Sequence, residues 1–74
     1  MLLNVKGRDI AINDELATRY EKVGTGPVSE EFALCELSTT YRCNIDNIFD
    51  SLSDEEIIKG IEDAMRDYID LAGV

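Results

Sequence analysis

Carboxylates are the side chains with the most capacity for chemistry here: sixteen Asp and Glu stand against seven Lys and Arg in 74 residues, with no histidine. Nine of the sixteen fall in residues 44–74, where Lys59 and Arg66 are the only cations, so that segment carries −7 of the net −9. Such a density of carboxylates could serve a metal, an acid/base pair or a basic partner. Asp46, Asp50 and Asp54 recur at a four-residue interval that invites a divalent cation. An EF-hand loop beginning at Asp46, however, would place Ile48 at its third position, Ser51 where glycine makes the sharp turn, and Ile57 where the bidentate glutamate belongs. No metal and no cofactor is expected. Catalysis has equally little to work with, because without histidine neither a Ser-His nor a Cys-His nucleophile can form, and paired carboxylates on so small a domain stay in water. The chain is not expected to be an enzyme.

Cys35 and Cys43 are the other reactive types. On one helix they stand eight positions apart, or ~12 Å at a rise of ~1.5 Å per residue. A disulfide needs Cα atoms within ~7 Å, so the pair reads as two reduced, buried, small apolar residues. Two cysteines also fall short of the four ligands of structural zinc. The seven cations are scattered, which disfavours direct nucleic-acid binding.

Asp50-Ser51-Leu52, followed by Glu56-Ile57-Ile58 and Ile61-Glu62, resembles the acyl carrier protein signature, in which the serine carries phosphopantetheine at the start of an acidic helix. That resemblance implies modification at Ser51. It spans about a dozen residues and departs from the family in lacking a glycine before the aspartate, in placing Ser51 two residues ahead of the better helix cap, and in leaving room for only one helix afterwards.

The elements that must position these residues follow from periodicity. Residues 2–12 alternate as a β-hairpin, with Leu3, Val5, Ile10 and Ile12 on one face. Gly7-Arg8 is the expected type II′ turn, which sets Val5 opposite Ile10, Leu3 opposite Ile12 and Lys6 beside Asp9. A helix over 14–23 is capped by Asn13 or Asp14, presents Leu16, Tyr20 and Val23, and stops at Gly24. Gly24-Thr25-Gly26-Pro27 is a loop, since a phosphate-binding loop would need a Gly-Lys-Ser/Thr that is absent. A helix over 29–43, capped by Ser29, has Ala33, Leu34, Leu37 and Tyr41 on one side and Phe32, Cys35, Thr39 and Cys43 towards the other, so it is expected to be central and covered on both sides. A short turn over 47–51, with Asp46 as its cap, brings Ile48, Phe49 and Leu52 to the core. Ser53-Asp54-Glu55-Glu56 is a capping box opening a helix over 54–72 with Gly73 at its exit. The expected fold class is α+β: one small domain, residues 1–74, with three to four helices against a hairpin.

On the last helix the polar side splits into two flanks. Glu55, Lys59, Glu62 and Arg66 alternate in sign, whereas Glu56, Asp63, Asp67 and Asp70 form a strip containing no cation. Asp67 and Asp70 sit where the helix dipole disfavours anions by ~0.3–1 kcal/mol each, which stability alone would not select. The expected function is therefore a small acidic module that binds a basic surface of a partner protein through Glu56, Asp63, Asp67, Asp70, Asp46 and Asp50. In length, acidity and lack of catalytic groups the chain looks like the small inhibitors that bacteriophages direct at host defence systems, such as anti-CRISPR proteins, some of which mimic nucleic acid. The alternative is a structural or assembly subunit, including a homodimer, joined through apolar helix surface. The opening Met-Leu-Leu-Asn lacks a cationic region followed by a sustained apolar one, and no run approaches the roughly 18 residues that span a bilayer, so a soluble, cytoplasmic protein is expected.

Overall fold

A computed structural model describes residues 1–24 and 26–73; Thr25, within the expected Gly24 to Pro27 loop, lies outside the described residues. The fold is α+β, an antiparallel hairpin followed by three helices and two single 3₁₀ turns. Strands β1 (Leu2–Val5) and β2 (Arg8–Ala11) pair with Leu3 opposite Ile10 and Val5 opposite Arg8. The turn is Lys6-Gly7, with φ of 51° and 83°, which is the type I′ pattern. This corrects the expected Gly7-Arg8 turn and its pairings. The partners shift by two residues, so parity survives and Leu3, Val5, Ile10 and Ile12 remain on the buried face.

Long-range contacts explain the shift. A lysine in left-handed backbone is tolerated because its N–H donates to Glu30 Oε2 at 2.7 Å and its ammonium to Asp46 Oδ1 at 2.6 Å. Asp9 takes its hydrogen bond from Asn4 across the ladder, not from Lys6.

Helix α1 (Asp14–Lys22) starts where Asn13 Oδ1 accepts from the Leu16 N–H, and it buries Leu16, Ala17 and Tyr20. Val23 is half-buried, and Gly24, at φ 81°, makes the exit. Helix α2 (Glu30–Tyr41) is capped by Ser29 and ends at Arg42, whose left-handed φ of 56° lets its own N–H and that of Cys43 bond to the Ser38 carbonyl. It is therefore shorter than the expected 29–43, and Cys43 lies beyond it.

The expectation of a helix covered on both sides is also corrected, because only Ala33 and Leu37 are fully buried. Hairpin and last helix cover that one side, while the half-buried Phe32 joins a trio of rings, 4.9 Å from Tyr20 and 6.1 Å from Tyr68. Cys35 and Cys43 are consequently exposed free thiols, contrary to the buried reading.

The connection to the last helix is two 3₁₀ turns, Ile45–Asn47 and Phe49–Ser51, in place of one turn over 47–51. Asn44, not Asp46, caps the first, its Oδ1 accepting from the Asp46 N–H at 3.0 Å. Ile45, Phe49 and Leu52 plug the core, with Ile48 half-buried.

Helix α3 (Asp54–Ala72) has the expected bounds and both bonds of the capping box: Glu56 N–H to Ser53 Oγ at 3.2 Å, and Ser53 N–H to Glu56 Oε1 at 2.9 Å. Ser53→Ala should accordingly cost about 0.5–2 kcal/mol in urea unfolding. Ser51→Ala should cost little, since the exposed Ser51 hydroxyl donates only to the Ile48 carbonyl; a larger loss at Ser51 than at Ser53 would contradict the cap assignment. No helix among the described residues is long and apolar enough to cross a membrane.

Candidate functional site

A groove opens where α3 crosses α2. Ile57, Ile61 and Met65 anchor α3 in the core, and Gly60 beside them is buried against Leu37; a Cβ at Gly60 would stand 2.8 Å from Leu37 Cδ2. The missing side chain lets the two helices touch there. Beyond the contact they leave a groove of about 350 Å³, with Gly60 and Ala64 inside it, Glu36 on the α2 wall, Asp63 and Asp67 on the α3 wall, and Tyr68 and Leu71 towards the helix end. A second hollow, sharing Thr40, Gly60 and Asp63, continues past Tyr41 to Glu56 and Lys59.

The six acidic residues singled out from sequence separate into two groups. Asp63 and Asp67 line the groove, Asp70 is exposed further along α3, and Glu56 reaches the second hollow while closing its capping box. Asp46 is bonded to Lys6 instead. That hydrogen bond, aided by the charges of Asp46, Asp50 and Glu30, holds the Lys6 ammonium above its ordinary pKa. Asp50 is exposed, and its charge also acts on Lys6. Within α3, Arg66 ties the two flanks together, reaching Asp63 at 3.0 Å and Glu62 at 3.5 Å. Asp67 and Asp70 have no ion pair among the described residues, and the last turn of α3 has no basic residue.

Comparison of the chain with protein-family models, with curated protein sequences and with solved structures returned no match. The groove must be read from its own chemistry.

Glu36 and Gly60 are site residues that the sequence reading missed. The glycine was signalled by its place inside a helix, where it costs ~1 kcal/mol relative to alanine and asks for a packing reason. Glu36 carried no comparable signal, because its role depends on how α2 crosses α3. Its Oε1 accepts from the Tyr68 hydroxyl at 2.9 Å and fixes that ring at the groove mouth. This hydrogen bond, reinforced by the Glu36 charge, raises the Tyr68 phenol above its ordinary pKa.

A raised folded-state pKa means the bond's contribution is fully present below the unfolded phenol value of about 10 and is lost as pH rises through the higher folded value. Glu36→Gln keeps an acceptor oxygen but removes the charge. Tyr68 should then titrate at lower pH than in the parent, as followed by NMR of the ring carbons; an unchanged titration would show that Glu36 does not control the phenol.

Ser51, the residue of the carrier resemblance, closes a 3₁₀ turn, and α3 begins only at Asp54.

Proposed function

We propose that this chain is a small non-enzymatic binding module that inhibits or regulates a partner protein by occupying its basic surface, in the manner of a nucleic-acid mimic. Phage-encoded inhibitors of host defence systems, such as anti-CRISPR proteins, are a parallel in size and charge. The observation that supports this reading best is the exposed, unpaired state of Asp67 and Asp70 at the anion-disfavouring end of α3 among the described residues. Carboxylates on adjacent turns stand about 5–6 Å apart, a spacing that can engage cations arranged for phosphates.

A second reading has its own support: Leu71 is 74% exposed and Tyr68 37% exposed on the same helix end, which suits apolar assembly with another chain. Salt separates the two. The Debye length falls from about 8 Å at physiological ionic strength to about 3 Å at 1 M, so a basic partner captured from host lysate at low salt should be released at high salt. Retention of the captured protein, or of self-association, at high salt would favour the assembly subunit and contradict the electrostatic reading.

A further inference from the structure

We propose that the groove between α2 and α3 is a docking slot for an arginine-bearing segment of the basic partner, with the guanidinium held between the carboxylate walls and a neighbouring apolar side chain seated on Leu71. The inference rests on the proposed basic-partner function and adds to it the site and the chemistry of the segment recognised.

Four features of the groove converge on that occupant. Its walls are acidic on both sides, Glu36 from α2 and Asp63 and Asp67 from α3; Asp63 is paired with Arg66, which leaves Asp67 unpaired among the described residues and Glu36 bonded only to the neutral Tyr68 hydroxyl. A planar guanidinium satisfies two carboxylates through its fork of N–H donors, whereas an ammonium is a compact point charge. Tyr68 offers a ring at the mouth, already fixed by Glu36, on which a guanidinium can stack. Holding the ring before binding lowers the ordering cost of association. Finally Leu71, though it lines the groove, is 74% exposed, so the slot is completed by an apolar contact that an isolated cation cannot supply. A volume of about 350 Å³ is at the low end of the ~300–1,000 Å³ range of ligand clefts, which suits one or two inserted side chains better than a cofactor. Nucleic acid is repelled by the same carboxylates.

The test is a titration of ¹⁵N-labelled protein with a capped glycine-arginine-leucine-arginine-glycine peptide, alongside the same peptide with both arginines replaced by uncharged citrulline. Saturable shifts are expected at the amides of Thr39, Gly60, Asp67 and Leu71, with the citrulline peptide weaker by about tenfold or more. Affinity should fall similarly in the Glu36→Gln/Asp67→Asn double variant and in Leu71→Ser, with the rest of each spectrum preserved. Saturable, charge-dependent binding centred instead on Asp46 and Asp50 would overturn the groove while leaving the basic-partner reading intact. Equal behaviour of the arginine and citrulline peptides, or no saturable binding of either, would overturn both. Broadening of the groove amides with protein concentration alone would assign the slot to a second copy of the chain and overturn the proposal.

Discussion

Arg8→Ala should destabilise the fold by about 2–4 kcal/mol, because one side chain joins the hairpin to the segment that leads into α3. The Arg8 guanidinium donates to the Phe49 and Leu52 carbonyls, each at 3.2 Å, pairs with Asp54, and stands 5.1 Å from the Phe49 ring centroid. The ion pair is the smallest part, since Asp54's side chain is 66% exposed and such pairs contribute about 0–1 kcal/mol. Stacking on Phe49 adds about 0.5–1 kcal/mol. The larger part is the charged hydrogen bonding to two partly buried carbonyls that truncation would leave unpaired, at about 1–3 kcal/mol. Domains of this size rarely hold more than about 3–5 kcal/mol, so the alanine variant should be substantially unfolded at 37 °C by circular dichroism. Arg8→Lys should recover part of the loss, since an ammonium cannot span both carbonyls and the ring together. An alanine variant as stable as the parent in urea would contradict this account of the hairpin's attachment.

Gly60→Val should be comparably damaging, at about 3 kcal/mol, and it should also deform the groove. Even the first added carbon would meet Leu37 Cδ2 at 2.8 Å, well inside the ~3.5–4.0 Å of ordinary carbon contact, and Leu37 is itself fully buried with little room to yield. Valine adds two further methyl groups at that crossing, and overpacking of this sort costs about 1–3 kcal/mol, occasionally more. Gly60→Ala is the finer probe. Alanine gains ~1 kcal/mol of helix propensity, so a net loss in that variant would show steric conflict outweighing propensity, whereas a net gain would mean the close approach of α2 and α3 is not required.

These two residues also mark where sequence reading stops. The bounds of α3 were legible because the Ser53/Glu56 capping box and the apolar period are both local signals. The buried face of the hairpin was legible for the same reason, since alternation survives a two-residue change of partner. The turn itself was not, because Lys6 adopts left-handed backbone with help from Glu30 and Asp46, which are 24 and 40 residues away. The end of α2 was hidden because Arg42, not a glycine, takes the left-handed position. The cysteines are exposed because α2 buries only its Ala33 and Leu37 side and ends before Cys43, neither of which a local apolar pattern reveals. At the candidate site the α3 carboxylates stood out by sign and spacing alone, but the opposing Glu36 wall and the Gly60 contact exist only once α2 and α3 cross. Asp46 gave the converse lesson: an acidic residue conspicuous in sequence is bonded to a lysine of the hairpin.

The claim that the acidic end of α3 binds a basic protein is tested most directly by changing Asp63, Asp67 and Asp70 together to asparagine and titrating the variant calorimetrically, at low salt, against the protein recovered from lysate. Relief of two anions at the helix C-terminus, about 0.3–1 kcal/mol each, opposes loss of the exposed Asp63–Arg66 pair at about 0.3–0.5 kcal/mol, so the thermal midpoint should stay put or rise slightly. Affinity should fall by about tenfold or more, chiefly through slower association. Unchanged affinity in a folded triple variant would contradict the claim and leave those carboxylates as a solvated face.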